Sequence, residues 1–296
     1  MPPVTVADLS HHSTELILAD PRFLEARRIY VDAIVRLYEN EPALNRLMHE
    51  AGRMAIFFVV VCLSAGYDPT DRASWPTVGR VKEALGRFQA ASQRRIDDVV
   101  GRLVSTGYLR LDTVGGDRRV RIVKPTDAML AHDQDWMVAH YAPLAHLFPG
   151  SDYALPLARD PRFQTAQRLA SLDILDWSAR IMADNSGMAL FLDRPAGALI
   201  LTKLVQMMDE DRGGLVPNLA YADIGPRFGV SRTHVRKLLH DAEQAGFVRL
   251  SGGGRRFVQL TPGLIAAFDR FVAGGMSSHD LTCRMAIARM RAPRSV

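Results

Sequence analysis

Residues 231–246 place hydrogen-bond donors and apolar side chains on opposite faces of a predicted helix. Because successive helical residues are about 100° apart, one stripe of this segment is apolar: Val235, Leu238, Leu239 and Ala242. The opposite face carries polar and basic side chains: Arg232, Thr233, Arg236, Lys237 and His240. Such donors can reach base edges and phosphate oxygens, and Ser231 can cap the helix beside N–H groups that bind phosphate. A solvated surface helix carries similar residues, so this segment alone leaves both interpretations open.

A short strand, a glycine-rich turn and a second strand follow this helix in the sequence. The turn at 252–256 consists of three glycines and then Arg255 and Arg256, so a tight hairpin would carry basic side chains at its tip. A polar-faced helix followed by a basic hairpin is the outline of a winged helix-turn-helix. The hairpin therefore favours contact with nucleic acid over a merely solvated face.

The composition is that of a globular protein with room for two ordinary domains. Of the 296 residues, 48% are hydrophobic, which argues against wholesale disorder. The net charge of +5 and the pI near 9.5 favour an anionic partner. Two cysteines, Cys62 and Cys283, are too few for a disulfide framework or a thiolate metal site.

The location is predicted from the N-terminus and from the most apolar run. The first residues lack a basic region followed by an apolar core, so no signal peptide is expected. The run at 54–65 is shorter than the roughly 20 residues that a bilayer span needs, so we expect a buried core helix there. The sequence predicts a soluble, cytoplasmic protein with no membrane partner.

The chain contains two copies of one pattern. The tetrapeptide DPRF at 20–23 recurs at 160–163 and opens a helical pattern each time. Further landmarks follow in the same order: 107–111 with 246–250, 115–119 with 252–256, and Pro125 with Pro262. We therefore predict two domains, 1–150 and 151–296, joined near residues 148–157, where proline, glycine and serine interrupt the pattern.

The earlier copy repeats the apolar stripe but not the basic face. Its stripe consists of four residues: Ile96, Val99, Val100 and Leu103. When the two segments are aligned, Asp97 stands where Arg236 stands, and Asp98 where Lys237 stands. Because two carboxylates repel a phosphate backbone, we expect the second copy to read bases. The first copy either contributes through other cations or has partly lost DNA binding; these cations are Arg94, Arg95, Arg118 and Arg119.

The hairpin segments resemble those of a known family. GGDRRVRIVKPT at 115–126 and GGGRRFVQLTPG at 252–263 are similar to the wing and closing segment of the MarR family of winged-helix transcription regulators. The segments SQRRIDDVVGRLVSTGYL and SRTHVRKLLHDAEQAGFV are similar to the recognition helices of the same family. The resemblance covers residues 54–126 and 199–263.

The resemblance implies roles for the hairpin residues. Arg119 and Arg256 would be wing arginines that enter a minor groove, with Asp117 holding Arg119 in place. Gly254 stands at the position of that aspartate in the second copy, so the ion pair would be missing there. Family members are normally single-domain homodimers, whereas two copies in one chain would make a covalent pseudo-dimer. Such pseudo-dimers could associate further as homodimers.

The fold that we predict is mainly α with small β wings, a tandem duplicated winged helix-turn-helix that forms a pseudo-dimer. By resemblance to relatives that bind small anionic aromatics, Trp136, Tyr141 and Trp177 would line a pocket for a small-molecule effector; ordinary core packing is the alternative. The histidines and aspartates at 132–146 match no ligand motif. We expect no metal and no cofactor.

The predicted function is non-enzymatic binding of double-stranded DNA in transcription regulation, with repression favoured over activation. The sequence contains no nucleophile elbow and no defensible pair of catalytic carboxylates. Two alternatives stay open. A plasmid-type replication initiator can also carry two winged helices in one chain. A tandem winged-helix scaffold for protein partners is supported by Asp97 and Asp98 and opposed by the arginines of both hairpins.

Overall fold

The computed structural model describes residues 10–48, 51–86, 92–114, 117–175, 185–210, 221–252 and 257–292. Within these ranges the chain is mainly helical, with two small antiparallel sheets of two strands each. The coarse prediction of a mainly α fold with small β hairpins is therefore confirmed.

The helices and strands are numbered in chain order. The first group is α1 (Thr14–Ala19), α2 (Phe23–Tyr38), α3 (Pro42–Met48), α4 (Ala51–Ala65), α5 (Val78–Gly86), α6 (Gln93–Ser105), β1 (Leu109–Val114), β2 (Asp117–Pro125) and α7 (Asp127–Leu147). The second group is α8 (Ala154–Leu157), α9 (Pro161–Asp173), α10 (Ser186–Leu192), α11 (Gly197–Glu210), α12 (Tyr221–Arg227), α13 (Arg232–Gln244), β3 (Val248–Ser251), β4 (Phe257–Leu260) and α14 (Pro262–Arg291).

The chain forms two compact units, and each unit combines segments from both halves of the sequence. Unit 1 comprises Met1–Ser13, Gly52–Arg180 and Met276–Val296, and unit 2 comprises Thr14–Ala51 and Ile181–Gly275. The units therefore do not coincide with the predicted domains 1–150 and 151–296. Helix α2 of the first half belongs to the unit of the second hairpin, and α9 of the second half belongs to the unit of the first hairpin.

The exchanged helices are held by the apolar faces that they bury. In unit 2, α2 buries Phe23, Tyr30 and Ile34 along one face and packs against α11. In unit 1, α9 buries Phe163, whose ring lies 5.8 Å from that of Tyr141 on α7 of the first half. The physical reason for the exchange is thus an ordinary one: each amphipathic helix covers an apolar surface built by the other half.

Each exchanged helix also carries a buried arginine. Arg27 of α2 is 5% exposed and lies 2.6 Å from Asp209 and 2.9 Å from Asp269. Arg168 of α9 is fully buried and lies 2.6 Å from Asp133 of α7. A buried charge is tolerated only with a partner, so these pairs fix each helix in position.

Unit 1 contains the longer hairpin and the most apolar helix. β1 and β2 pair with a register irregularity between Thr113 and Val114, and Thr77 forms an isolated antiparallel bridge to Ile122 of β2. The predicted core helix at 54–65 lies within α4, where Ile56 and Val60 are fully buried. That prediction is confirmed.

A membrane span was tested by helix length and hydropathy. No single helix among the described residues is long and apolar enough to cross a bilayer. One bent pair, Pro42–Met48 with Gly52–Ala65, satisfies these criteria only when the two helices are taken together.

Candidate nucleic-acid interface

Helix α13 of unit 2 follows the predicted pattern closely. The Oγ of Ser231 accepts a hydrogen bond from the backbone N–H of His234 at 3.1 Å and caps the helix. The predicted stripe is buried: Val235, Leu238, Leu239 and Ala242. The helix ends at Gln244, and Gly246 has a φ of +76°, a conformation that suits glycine. The cap, the stripe and the glycine stop are therefore confirmed.

The outward face of α13 is polar, basic and open to solvent. Its exposed residues are Arg232, Thr233, Arg236, Lys237 and His240. Among the residues that the structure describes, no carboxylate pairs with Arg236 or Lys237. Their cations are therefore available to an external anion.

The inner side of α13 is fixed to neighbouring elements of unit 2. Asp241 accepts from the guanidinium of Arg194 at 2.9 Å, and the ring of His234 hydrogen-bonds the carbonyl of Pro195 at 2.9 Å. Glu243 accepts from the backbone N–H of Leu250 at the start of the hairpin, at 3.1 Å. The partners Arg194 and Pro195 are distant in the sequence, and no local pattern predicts any of the three contacts. They hold the outward face in one orientation.

The turn between α12 and α13 depends on close backbone approach. The N–H of Val230 donates to the carbonyl of Gly225 at 2.9 Å. A Cβ at Gly225 would lie 2.7 Å from the carbonyl oxygen of Val230 and 3.2 Å from the nitrogen of Arg232. Only glycine fits there, so this residue brings the start of α13 directly against α12.

The hairpin of unit 2 places the aromatic ring of Phe257 against Gly252. β3 and β4 pair from Val248–Leu260 to Ser251–Phe257. Gly252 has a φ of +79°, and a Cβ there would lie 2.7 Å from the ring of Phe257. The predicted wing arginines Arg255 and Arg256 lie outside the described residues.

The corresponding helix of unit 1, α6, has the same cap and buried face. Ser92 accepts from the N–H of Arg95 at 3.3 Å, and the predicted stripe is buried: Ile96, Val99, Val100 and Leu103. Arg94 and Asp98 are exposed, and Arg95 is half-buried. Asp97 lies 2.7 Å from Lys82 of α5. Lys82 lies on the preceding helix, so the spacing of residues within α6 does not indicate this pair.

The charges on the hairpin of unit 1 are partly paired. Lys124 lies 2.9 Å from Asp112, and its hydrogen bond is the main reason that the pKa of Asp112 falls below its usual value. Arg110 lies 3.6 Å from the same carboxylate. Arg118 and Arg119 belong to β2, but their side chains are outside the described part of the structure.

Two of the three aromatics predicted to line an effector pocket, Trp136 and Tyr141, belong to a packed cluster. Tyr141 is fully buried and donates to the carbonyl of His279 at 2.9 Å. The ring of Trp136 lies 3.8 Å from that of His140, and the guanidinium of Arg168 lies 5.4 Å from the Trp136 ring. The third residue, Trp177, is outside the described residues, so the effector pocket stays a prediction.

A cleft in the same unit shares no lining residue with these aromatics. It has a volume of about 340 Å³ and is lined by residues of α8, α9 and the end of α14 and by the segment before α8.

The acidic residue Asp133 of α7 forms an ion pair with Arg168. No group of three metal-binding side chains occurs in the described ranges.

Comparison with family models, with curated proteins and with solved structures gives no match for this chain. Any function must therefore be argued from its own residues.

Proposed function

We propose that this protein binds double-stranded DNA as a non-enzymatic regulator of transcription, with α13 as its principal base-reading element. The observation that carries the proposal is the outward face of α13. Arg236 and Lys237 lie exposed on a helix that is capped at Ser231 and held from behind by contacts with Arg194 and Leu250. A rigid helix with free donors is what contact with base edges in a major groove requires.

The contrast between the two helices supports unequal roles. In α13 the two central outward residues are cations, whereas in α6 they are Asp97 and Asp98. Lys82 neutralises Asp97, whereas Asp98 is exposed and has no ion-pair partner among the described residues. The first helix would then bind phosphate weakly or serve another purpose.

The wider proposal is a MarR-like pair of winged helices in one chain, a cytoplasmic pseudo-dimer that acts by occupying a promoter. Nonidentical readers suit nonidentical half-sites, so the operator need not be palindromic. The acidic part of α6 favours one second candidate, a protein-binding role for unit 1. Regulation by a small effector near Trp136 and Tyr141 belongs to the same proposal.

The unequal roles can be tested with matched arginine variants on a duplex that the protein selects. A good bidentate base contact contributes about 1–3 kcal/mol, so Arg236→Ala should weaken binding by about 5- to 150-fold. Arg94→Ala removes the same charge from α6 and should have a clearly smaller effect. Kd measured by fluorescence anisotropy checks both, and equal losses would contradict the assignment of α13 as the main reader.

A further inference from the structure

We propose that the corner between α2 and α3, residues 38–42, positions the α12–α13 turn of unit 2 and thereby aims the DNA-reading helix. This corner belongs to the first half of the sequence, and the turn belongs to the second. The inference rests on the proposed DNA-binding function for its consequence, although the contact itself is independent of DNA.

The first contact is a main-chain hydrogen bond. The N–H of Asn40 donates to the carbonyl oxygen of Arg227 at 3.0 Å. Arg227 is the last residue of α12, where helical carbonyls lack partners within the helix. Asn40 has a φ of +69°, which asparagine tolerates better than most residues. The corner therefore supplies a hydrogen bond that the end of α12 requires.

The second contact is an ion cluster around Glu39. Its carboxylate lies 2.7 Å from the guanidinium of Arg227 on α12 and 3.3 Å from the ammonium of Lys203 on α11. The Glu39 side chain is 17% exposed. Partial burial opposes its ionisation, but the two cations outweigh that effect and hold the pKa of Glu39 below its usual value. One carboxylate thus joins α2 to two helices of the second half.

The third contact is steric. Gly229, in the turn between α12 and α13, has a φ of +74°. A Cβ at Gly229 would lie 2.5 Å from the carbonyl oxygen of Pro42 and 3.1 Å from its Cα. The turn and the corner are therefore in backbone contact, and a shift of one must move the other.

The corner is itself braced. The N–H of Glu39 donates to the carbonyl of Val35 at 2.7 Å, and the side-chain amide of Asn45 donates to the carbonyl of Tyr38 at 2.7 Å. Tyr38 is 1% exposed. Because Ser231, the cap of α13, follows Gly229 by only two residues, the braced corner sets where α13 begins.

The decisive variants are Glu39→Gln and Glu41→Gln. Both remove one negative charge from the same corner, and Glu41 is exposed with no side-chain partner among the described residues. Electrostatics alone predicts that both variants bind DNA slightly more tightly. Loss of positioning predicts that only Glu39→Gln loses discrimination between the selected duplex and an unrelated one, by about 2- to 30-fold. Glu39→Asp, which keeps the charge with a shorter reach, should lose less.

A second measurement tests the contact between the corner and the α12–α13 turn in the absence of DNA. Amide hydrogen exchange at residues 228–230 should be faster in Glu39→Gln and unchanged in Glu41→Gln, because only the first variant loosens the turn. Unchanged exchange in Glu39→Gln, or equal acceleration in both variants, would overturn the positioning role. If the wild type showed no binding to duplex DNA, the proposed DNA-binding function would be contradicted. Exchange that is faster in Glu39→Gln but not in Glu41→Gln would still support the contact between the corner and the turn.

Discussion

His140 of α7 is a buried polar residue of unit 1 whose ionisation is coupled to folding. Its Nδ1 bonds the carbonyl of Trp136 at 2.8 Å, and its ring stacks 4.5 Å from that of His279. Burial, opposed by the Trp136 carbonyl and reinforced by the charge of Arg168, lowers the pKa of His140 to about 4. The folded protein therefore holds this ring neutral.

Because the pKa of His140 differs between the folded and unfolded chains, the free energy of unfolding depends on pH. Between pH 6.5 and about 4 the unfolded chain binds a proton at His140 that the folded chain does not, so stability falls as the pH is lowered through this window. One pKa unit corresponds to about 1.4 kcal/mol. We expect His140 to contribute a loss on the order of 2–3 kcal/mol.

Urea unfolding of the wild type and of His140→Gln at pH 7.0 and pH 5.0 measures this contribution. The variant should lose less stability than the wild type between the two pH values. An unchanged pH dependence in His140→Gln would contradict the buried, neutral assignment.

At the scale of elements, the exchange of α2 and α9 is the main architectural result. In each unit, the segment that carries the hairpin is completed by a helix from the other half of the sequence. This helix is α9 in unit 1 and α2 in unit 2. The buried pairs of Arg27 and Arg168 would also be broken in isolated halves, and a broken buried pair costs about 3–5 kcal/mol.

We therefore predict that polypeptides 1–150 and 151–296 do not fold separately but recover structure when mixed. Circular dichroism of each half during heating should show no cooperative transition, and an equimolar mixture should show one near that of the intact chain. A cooperative transition in either half alone would contradict the exchange.

The sequence could predict α13 residue by residue because its determinants are local. Ser231, the spacing of Val235 to Ala242, and Gly246 all act within a few turns of one helix. The exchange could not be predicted in the same way. DPRF opens both α2 and α9, and periodicity specifies which face of a helix is buried but not which half covers it.

The contacts around the candidate interface likewise could not be predicted from local sequence patterns. The pairing of Asp97 with Lys82 and the contact of Glu39 with Arg227 join residues on different helices. Neither pair has a spacing that marks it in the sequence, so only the tertiary structure reveals that one acidic residue is neutralised and that another braces the turn.

At the scale of the whole molecule, two similar patterns carry unequal charge. The net charge of +5 is modest for 296 residues, so the placement of cations must matter more than their number. Phosphate contacts release counterions, and affinity for DNA then falls steeply with salt. A protein that used α13 as proposed would combine this salt dependence with a preference for particular sequences.

The most direct test is enrichment of random double-stranded genomic fragments by the intact chain, followed by sequencing, at two salt concentrations. We expect a defined set of enriched fragments, weaker recovery at the higher salt, and loss of the set in the double variant Arg236→Ala/Lys237→Ala. The absence of enrichment, or binding that is independent of salt, would contradict it.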